Sequence, residues 1–400
     1  MNMRILHVAS SYPLYPGDGH APFMEEMLSA LADRGHEVAI VVPRVIGLQE
    51  GIREDVQVIG AVYAPRRLQV WGYGRSLALG GRLKASAALV TPAAIGAMAL
   101  AMRRRIAVKR PDVIHLHWVL PQGVLAAFVP SDIPVVVSVH GADVRFVRGR
   151  LGRVARRVLA RADAVVSASS GILEAISGVY PSTRSKSHVI THGANTNLFQ
   201  PVDRSRAKTE LGIDPDVPVI VAVGRLVSKK GFDRLIRSMS ELTDTGAHLY
   251  IIGEGPESTT LRSLASQTNA DRIHLLGIQR REVTAKWLAA SDVVVIPSVR
   301  DGQDVDSGPV VLMEAMASGR PVVTTGIGMA PDVIRHDVNG YLIDAAEPHL
   351  LAAAVREALA NRTRLGKGAR ATFEGLGGWH RVASALEEVY GSLIATSRTS

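Results

Sequence analysis

Short runs of β-branched and aliphatic residues alternate with helical stretches almost from end to end of the chain. In the first half the runs read RILHVA, EVAIVV, DVIHLHW, PVVVSVH, DAVVSA and HVIT; in the second, VPVIVAV, HLYIIG, RIHLLG, DVVVIPS, PVVTT and GYLI. These runs are apolar on both faces, the pattern of parallel strands covered by helices on each side. Strands alternating with helices over this length predict an α/β protein with doubly wound parallel sheets. Around Thr191 to Asp216 the pattern stops in a polar, turn-rich stretch and then begins again. Two similar units in tandem are therefore predicted, residues 1–198 and 199–376, facing each other across a cleft. A last segment, 377–400, carries a helix from about Trp379 to Ile394 after the glycine-rich break at Gly375 to Gly378, and is expected to cross back to the first unit.

Composition narrows this picture without changing it. Four hundred residues with 47% apolar and 21% charged side chains suit two ordinary globular cores. With no cysteine in the chain, a disulfide framework, a thiolate metal site and a cysteine nucleophile are excluded, and a reducing compartment fits. The N-terminus enters a strand pattern directly and has no signal-peptide signature, so a cytoplasmic location is expected. The uncharged stretch from Ala85 to Met102 meets a crude length test for a membrane span. Rich in alanine and holding Pro92 and Gly96, it is expected to be a buried helix instead.

The formal charge is +9, and seven arginines fall between Arg145 and Arg161. Phe146, Val147, Leu151, Val154 and Val158 recur among them at helical spacing, which predicts an amphipathic helix with a cationic face. Such a face is either solvated or drawn to an anionic membrane surface, placing the protein peripherally on the inner face of the membrane. No nucleic-acid-binding signature accompanies the charge, and no nucleic-acid partner is expected.

In open α/β sheets ligands sit beyond the carboxyl ends of the strands, so the residues that directly follow strands carry the candidate chemistry. After VPVIVAV come Gly224, Arg225 and, past LVSK, Lys230 and Gly231. Arginine offers a planar fork for two oxygens and lysine a mobile point charge, which makes a phosphate-binding loop; an exposed basic loop is the plainer alternative. After DVVVIPS a long loop leads to Asp306, Ser307, Gly308 and Pro309, with Pro309 suited to a first helical turn. Glu314 follows in the apolar run LMEAMA, and a carboxylate there needs a partner, either ligand hydroxyls such as a ribose diol or an arginine from another helix. His140 ends PVVVSVH and is either a structural histidine or a donor to developing charge.

Two familiar nucleotide signatures are missing. The first loop reads GDGHAP, with Pro22 where a dinucleotide fingerprint needs its third glycine, and no P-loop occurs anywhere. Asp304 and Asp306 form a D-x-D, the pair that holds a divalent ion in some transferases. With Arg225 and Lys230 already supplying positive charge, no metal is expected. His115 and His117 share one strand face and, without a third ligand in view, read as structural.

Several segments together resemble the family-four glycosyltransferases of the GT-B fold, in motif style closest to those of exopolysaccharide and colanic-acid synthesis. They are DVIHLHW, HGAD, HGANTNLF, GRLVSKKG, IIGEGPE, LLGIQRREV, SDVVVIPS and DSGPVVLMEAMASGRPVV, in order along nearly the whole chain. The resemblance implies two Rossmann-like domains and a retaining, metal-independent hexosyltransferase without a cofactor. A UDP- or GDP-sugar would donate to a glycan or lipid-linked acceptor in cell-surface polysaccharide or glycolipid synthesis. By the same resemblance Arg225 and Lys230 bind the donor diphosphate, Asp306 lies near the donor sugar and Glu314 on the ribose. Ser307, Gly308 and Pro309 form the turn that approaches the sugar, Gly277 and Ile278 lie beside the base, and His140 lies near the reacting centre. Three departures stand out: Asp306 replaces the usual glutamate, Ala21 a usual glycine, and Gly328-Met329 a glycine pair. The alternative reading is a non-hydrolysing sugar-nucleotide epimerase of the same fold.

Overall fold

The structure, a computed structural model, describes residues 2–18, 21–73, 85–269, 271–300, 302, 306 and 308–399. The chain divides into two compact units: Met1–Ser167 with Gly171–Ile190 and Trp379–Ser400, and Ala168–Ser170 with Thr191–Gly378. Residues 191–198 thus group with the second unit, against a boundary at 198 expected from composition.

Among the described residues the first unit holds eight strands. They are β1 (Arg4–Val8), β2 (Glu37–Pro43), β3 (Gly51–Arg53), β4 (Val56–Ala61), β5 (Val113–His117), β6 (Val135–Ser138), β7 (Ala164–Ser167) and β8 (Ser187–Val189). Their order is β3-β4-β2-β1-β5-β6-β7-β8, and every pairing except β3 with β4 is parallel. β3 and β4 form the one element pair that the apolar runs did not announce. Their hairpin turns through Glu54 and Asp55, both at positive φ, and β4 alternates buried with half-buried positions as an amphipathic outer strand does.

Helices α1 (Pro22–Ala32), α2 (Ala85–Val108), α3 (Asp143–Arg148), α4 (Gly152–Arg161) and α5 (Ser170–Ser177) follow in chain order. Pro22 stands at the first turn of α1, where its missing N–H is harmless. The uncharged stretch lies in α2, and among the described residues no helix is long and apolar enough to cross a membrane. The arginine-rich window makes two short helices rather than one. A Cβ on Gly149 would lie 2.7 Å from the Arg145 carbonyl oxygen, so the chain bends there, and Leu151 falls between the helices, half exposed. Val147 and Val158 are buried as the spacing requires.

The second unit holds β9 (Val219–Val223), β10 (His248–Ile252), β11 (Ile273–Gly277), β12 (Val293–Ile296), β13 (Val322–Thr325) and β14 (Gly340–Ile343), all parallel in the order β11-β10-β9-β12-β13-β14. Helices α6 (Arg204–Glu210), α7 (Phe232–Ser238), α8 (Ser258–Asn269), α9 (Arg281–Ala290), α10 (Val310–Ala317), α11 (Ala330–Val333), α12 (Pro348–Ala360) and α13 (Arg362–Leu376) flank it. Ile220, Ala222, Val293 and Val295 join one apolar cluster, and Val219, Val221, Val294 and Ile296 join the other. Successive strand residues therefore feed opposite faces, which is why the runs are continuously apolar.

The last helix, α14 (Trp379–Thr399), belongs to the first unit and packs along α1. The Trp379 indole N–H donates to Glu26 at 2.7 Å, Arg34 pairs with Glu387, and Ala383, Leu386 and Tyr390 are fully buried.

Candidate functional site

In the second unit the polypeptide leaving β9 runs against the one leaving β10. The Gly224 N–H donates to the Ile252 carbonyl at 3.0 Å and the Leu226 N–H to that of Glu254 at 3.0 Å. The backbones meet so closely that a Cβ on Gly253 would stand 2.0 Å from the Gly224 oxygen, and one on Gly255 2.2 Å from that of Leu226. Glycine is needed at both places. The β9 loop then ends at Gly231, which caps α7 in the left-handed conformation at φ 65°. Arg225 projects from this loop as an exposed side chain.

Lys230, one residue before that cap, places its ammonium 2.5 Å from a carboxylate oxygen of Asp306. Asp306 is only 8% exposed, and the Ser298 hydroxyl donates to the same oxygen at 3.0 Å. Burial by itself would raise this carboxyl, but the adjoining Lys230 charge and hydrogen bond, with Lys229 and Ser298, hold it below the usual aspartate value. His192, which feels the charge of Asp306, is kept neutral by burial, its imidazole lowered to about 4.

Further along, Pro309 is the N-cap of α10 rather than a residue of its first turn. Gly308 packs on Met329: a Cβ would fall 2.8 Å from the methionine Cγ. Glu314 has a partner within the protein. Its carboxylate lies buried in α10 and meets the Arg281 guanidinium, at the start of α9, at 3.1 Å; that guanidinium lies over the Phe199 ring. Gly277 is left-handed at φ 69°, and Ile278 beside it is 73% exposed, an unusual position for isoleucine. Ser307 and Asp304 lie outside the described residues.

In the first unit His140 follows β6, and its ring lies against that of Trp118 with centroids 4.7 Å apart. Asp143, fully buried three residues later, accepts the N–H groups of His140 (2.8 Å), Val119 (3.0 Å) and Leu120 (3.5 Å). It ties the ends of β5 and β6 together. Burial pushes its carboxyl up to about 7 in spite of these donors. The Ala21 backbone has φ 51°, the conformation that glycine adopts without cost.

Two family models cover the two halves of the chain: "Glycosyltransferase Family 4" matches residues 17–198, and "Glycosyl transferases group 1" matches 203–372. Among curated proteins, the chain is 30% identical over 305 residues to a D-inositol 3-phosphate glycosyltransferase of Xylanimonas cellulosilytica, covering 70% of this chain and 71% of that one. The chain belongs to the family-four glycosyltransferases. It is also 30% identical over 275 residues to a GDP-mannose-dependent alpha-(1-6)-phosphatidylinositol monomannoside mannosyltransferase of Mycobacterium tuberculosis, with coverage of 66% and 70%. Among solved structures, sucrose-phosphate synthase from Thermosynechococcus elongatus shares the fold with a TM-score of 0.79 at 21% identity, over 99% of this chain and 100% of that one. The GT-B fold, with a Rossmann-like sheet in each unit, is thereby established.

In this glycosyltransferase the second unit brings Lys230 and Asp306 together, and sets Glu314 on Arg281 rather than leaving it to ligand hydroxyls alone. Asp306 is buried and its carboxylate meets the Lys230 ammonium. Sequence reasoning missed three groups. Asp143 stood in the quoted HGAD, an acid three residues past a strand-end histidine. Arg281 stood in LLGIQRREV, where nothing marks which of two arginines turns inward. His192 stood in HGANTNLF, with no local signal of burial. Nor did it find the third member of the histidine pair: His7, opposite His115 in the β1–β5 register, completes a cluster with His115 and His117 whose nitrogens lie within 4.8 Å of one another.

Proposed function

We propose that this glycosyltransferase moves a hexosyl group from a UDP- or GDP-sugar to a glycan or lipid-linked acceptor, retaining anomeric configuration and needing no metal ion or cofactor. The observation that carries the reading is the Lys230–Asp306 contact of 2.5 Å at the carboxyl end of the second sheet, beside the exposed Arg225. An ammonium has three N–H donors. Asp306 takes one and fixes the side chain, which leaves two for oxygens of a diphosphate, while Arg225 adds a planar fork. As the bond from sugar to diphosphate breaks, charge grows on the leaving group where these donors point, and the acceptor hydroxyl attacks from the same face, giving its proton to the departing diphosphate oxygen. By the family resemblance Ser307, Gly308 and Pro309 would serve the donor sugar, Gly277 and Ile278 the base, and His140 the transfer step.

Both curated relatives are named for inositol-bearing acceptors, and the mycobacterial one for GDP-mannose. An acceptor of cell-surface polysaccharide or glycolipid synthesis agrees with this. The arginines of 145–161 would meet anionic lipid at the cytoplasmic face of the membrane, where a lipid-linked acceptor sits. Lys230→Ala should lower turnover with the cognate donor about a hundred- to a thousandfold, the usual cost of losing one donor to the developing charge. Near-normal turnover in that variant would overturn the assignment. Excess chelator should leave the wild-type rate unchanged, and donor incubated without acceptor should yield no epimer.

A further inference from the structure

A cavity of about 350 Å³ opens on the second unit among Arg204, Arg320, Arg362, Lys367, Arg370 and Glu374. It lies towards the amino ends of the strands, away from the loops of Lys230 and Asp306 at their carboxyl ends. Arg320 precedes β13, Arg204 begins α6 and Arg362 begins α13, whereas Lys230 and Asp306 follow β9 and β12. Its size falls within the range of small-molecule sites, roughly 300–1,000 Å³.

The charge around it does not balance. Buried Asp292 binds Arg204 at 3.2 Å, Lys208 at 2.7 Å and Arg362 at 3.1 Å, one carboxylate for three cations. Glu374 pairs with Arg370 at 2.7 Å. Asp203 caps α6, accepting the Arg206 N–H, and its charge adds to that of Asp292, which still leaves, among the described residues, three acids against six cations around the cavity: Arg204, Lys208, Arg320, Arg362, Lys367 and Arg370. Arg320, only 5% exposed, gives Nη2 to the Val202 carbonyl, while its Nε and that of Arg204 are buried without a partner among the described residues. Burial first, and then the neighbouring Arg204, lower the Arg320 guanidinium to about 10 against the opposing charges of Asp292 and Asp203. A structural cluster that only tied α6 and α13 to β12 would need Asp292 and its three partners. Lys367, exposed on the cavity wall, and Arg320 lie outside that tie. Concentrated positive charge of this kind around a concave site is what a multiply charged anion satisfies.

We infer that this cavity is a second anion site, separate from the donor loops, that takes a phosphate-bearing small molecule between Lys367, Arg370 and the Arg320–Arg204 wall. The site goes beyond the donor reading and does not depend on it. Because phosphate could also occupy the donor loops, the test uses the full chain carrying Arg225→Ala and Lys230→Ala. Inorganic phosphate and pyrophosphate are titrated by calorimetry and thermal unfolding, against sodium chloride at matched ionic strength. Saturable binding of pyrophosphate, tighter than phosphate and absent with chloride, is expected. Adding Lys367→Glu should weaken it about tenfold or more with an unchanged circular dichroism spectrum, since Lys367 is exposed; Arg370→Gln is the second probe. Absence of saturable binding in the Arg225→Ala, Lys230→Ala protein, or binding that survives Lys367→Glu undiminished, overturns the inference.

Discussion

The left-handed turn at Gly231 shows how much of the β9 loop rests on a single missing methyl group. Its φ is 65°, and an added Cβ would sit 2.0 Å from the Pro297 carbonyl oxygen, so the β9 loop and the end of β12 touch backbone to backbone. Gly246 has a similar φ of 68° with nothing within 4 Å. A side chain in this conformation costs about 1–2 kcal/mol by itself. Gly246→Ala should lose roughly that, whereas Gly231→Ala must also push the two loops apart and should lose about 2–4 kcal/mol. Urea unfolding of the two variants measures the difference, and equal losses would mean that the contact with Pro297 is slack. At this scale the strand-end positions of Arg225 and Lys230 were legible, because glycine and basic residues just past an apolar run have a local cause. The partners were not. That Asp306 lies under Lys230 and Glu314 on Arg281 depends on side chains brought together across 76 and 33 positions, which no spacing records.

Among the elements, β1 and β5 bring His7, His115 and His117 together under α14. His7 and His117 share a hydrogen bond of 3.0 Å, and His115 lies between the Tyr390 hydroxyl at 2.6 Å and the Ser138 hydroxyl at 2.7 Å. Burial holds all three imidazoles well below their usual value of 6.5, His7 at about 3. They stay neutral in the folded protein but take up protons when it unfolds below pH 6.5. The stability they contribute is whole above that pH and drains away as the pH falls, by about 1.4 kcal/mol per pH unit for each. Asp143, raised to about 7 from 3.8, acts in the opposite sense over the same window and offsets one of the three. Urea midpoints at pH 6.5 and 4.5 should therefore show a net loss, and a flat profile would show that these rings are hydrated or charged. Tyr390→Phe, which strips one partner from His115, should cost about 1–3 kcal/mol. The strands themselves were readable from their apolar runs. The β3–β4 hairpin was not, because a half-exposed strand of GIRED and VQVIG type lacks that signature, and the arginine-rich helix split where Gly149 sits against a carbonyl, a contact invisible to periodicity.

At the scale of the whole molecule each unit buries its own apolar interior, and that of the first takes in the helix that follows Gly378. Helix α14 buries Ala383, Leu386, Val389, Tyr390 and Ile394 in the first unit, while the loops of Arg225, Lys230 and Asp306 belong to the second. Burying one such aliphatic side chain contributes about 1.5–3 kcal/mol, so several approach the 5–15 kcal/mol that a typical domain has in total. A chain ending at Gly378 should therefore lose the thermal transition of its first unit, or suffer a large drop in it, while the second unit still unfolds cooperatively. A nucleoside diphosphate present at a hundred times its Kd should stabilise that second transition by about 2.7 kcal/mol in the full chain and in the truncated one alike. Scanning calorimetry with and without UDP or GDP separates the possibilities. An undiminished first transition after truncation would mean that α14 merely covers the unit instead of completing its core. Loss of the nucleotide response with α14 would mean that the loops around Arg225, Lys230 and Asp306 need an intact first unit in order to bind a nucleoside diphosphate.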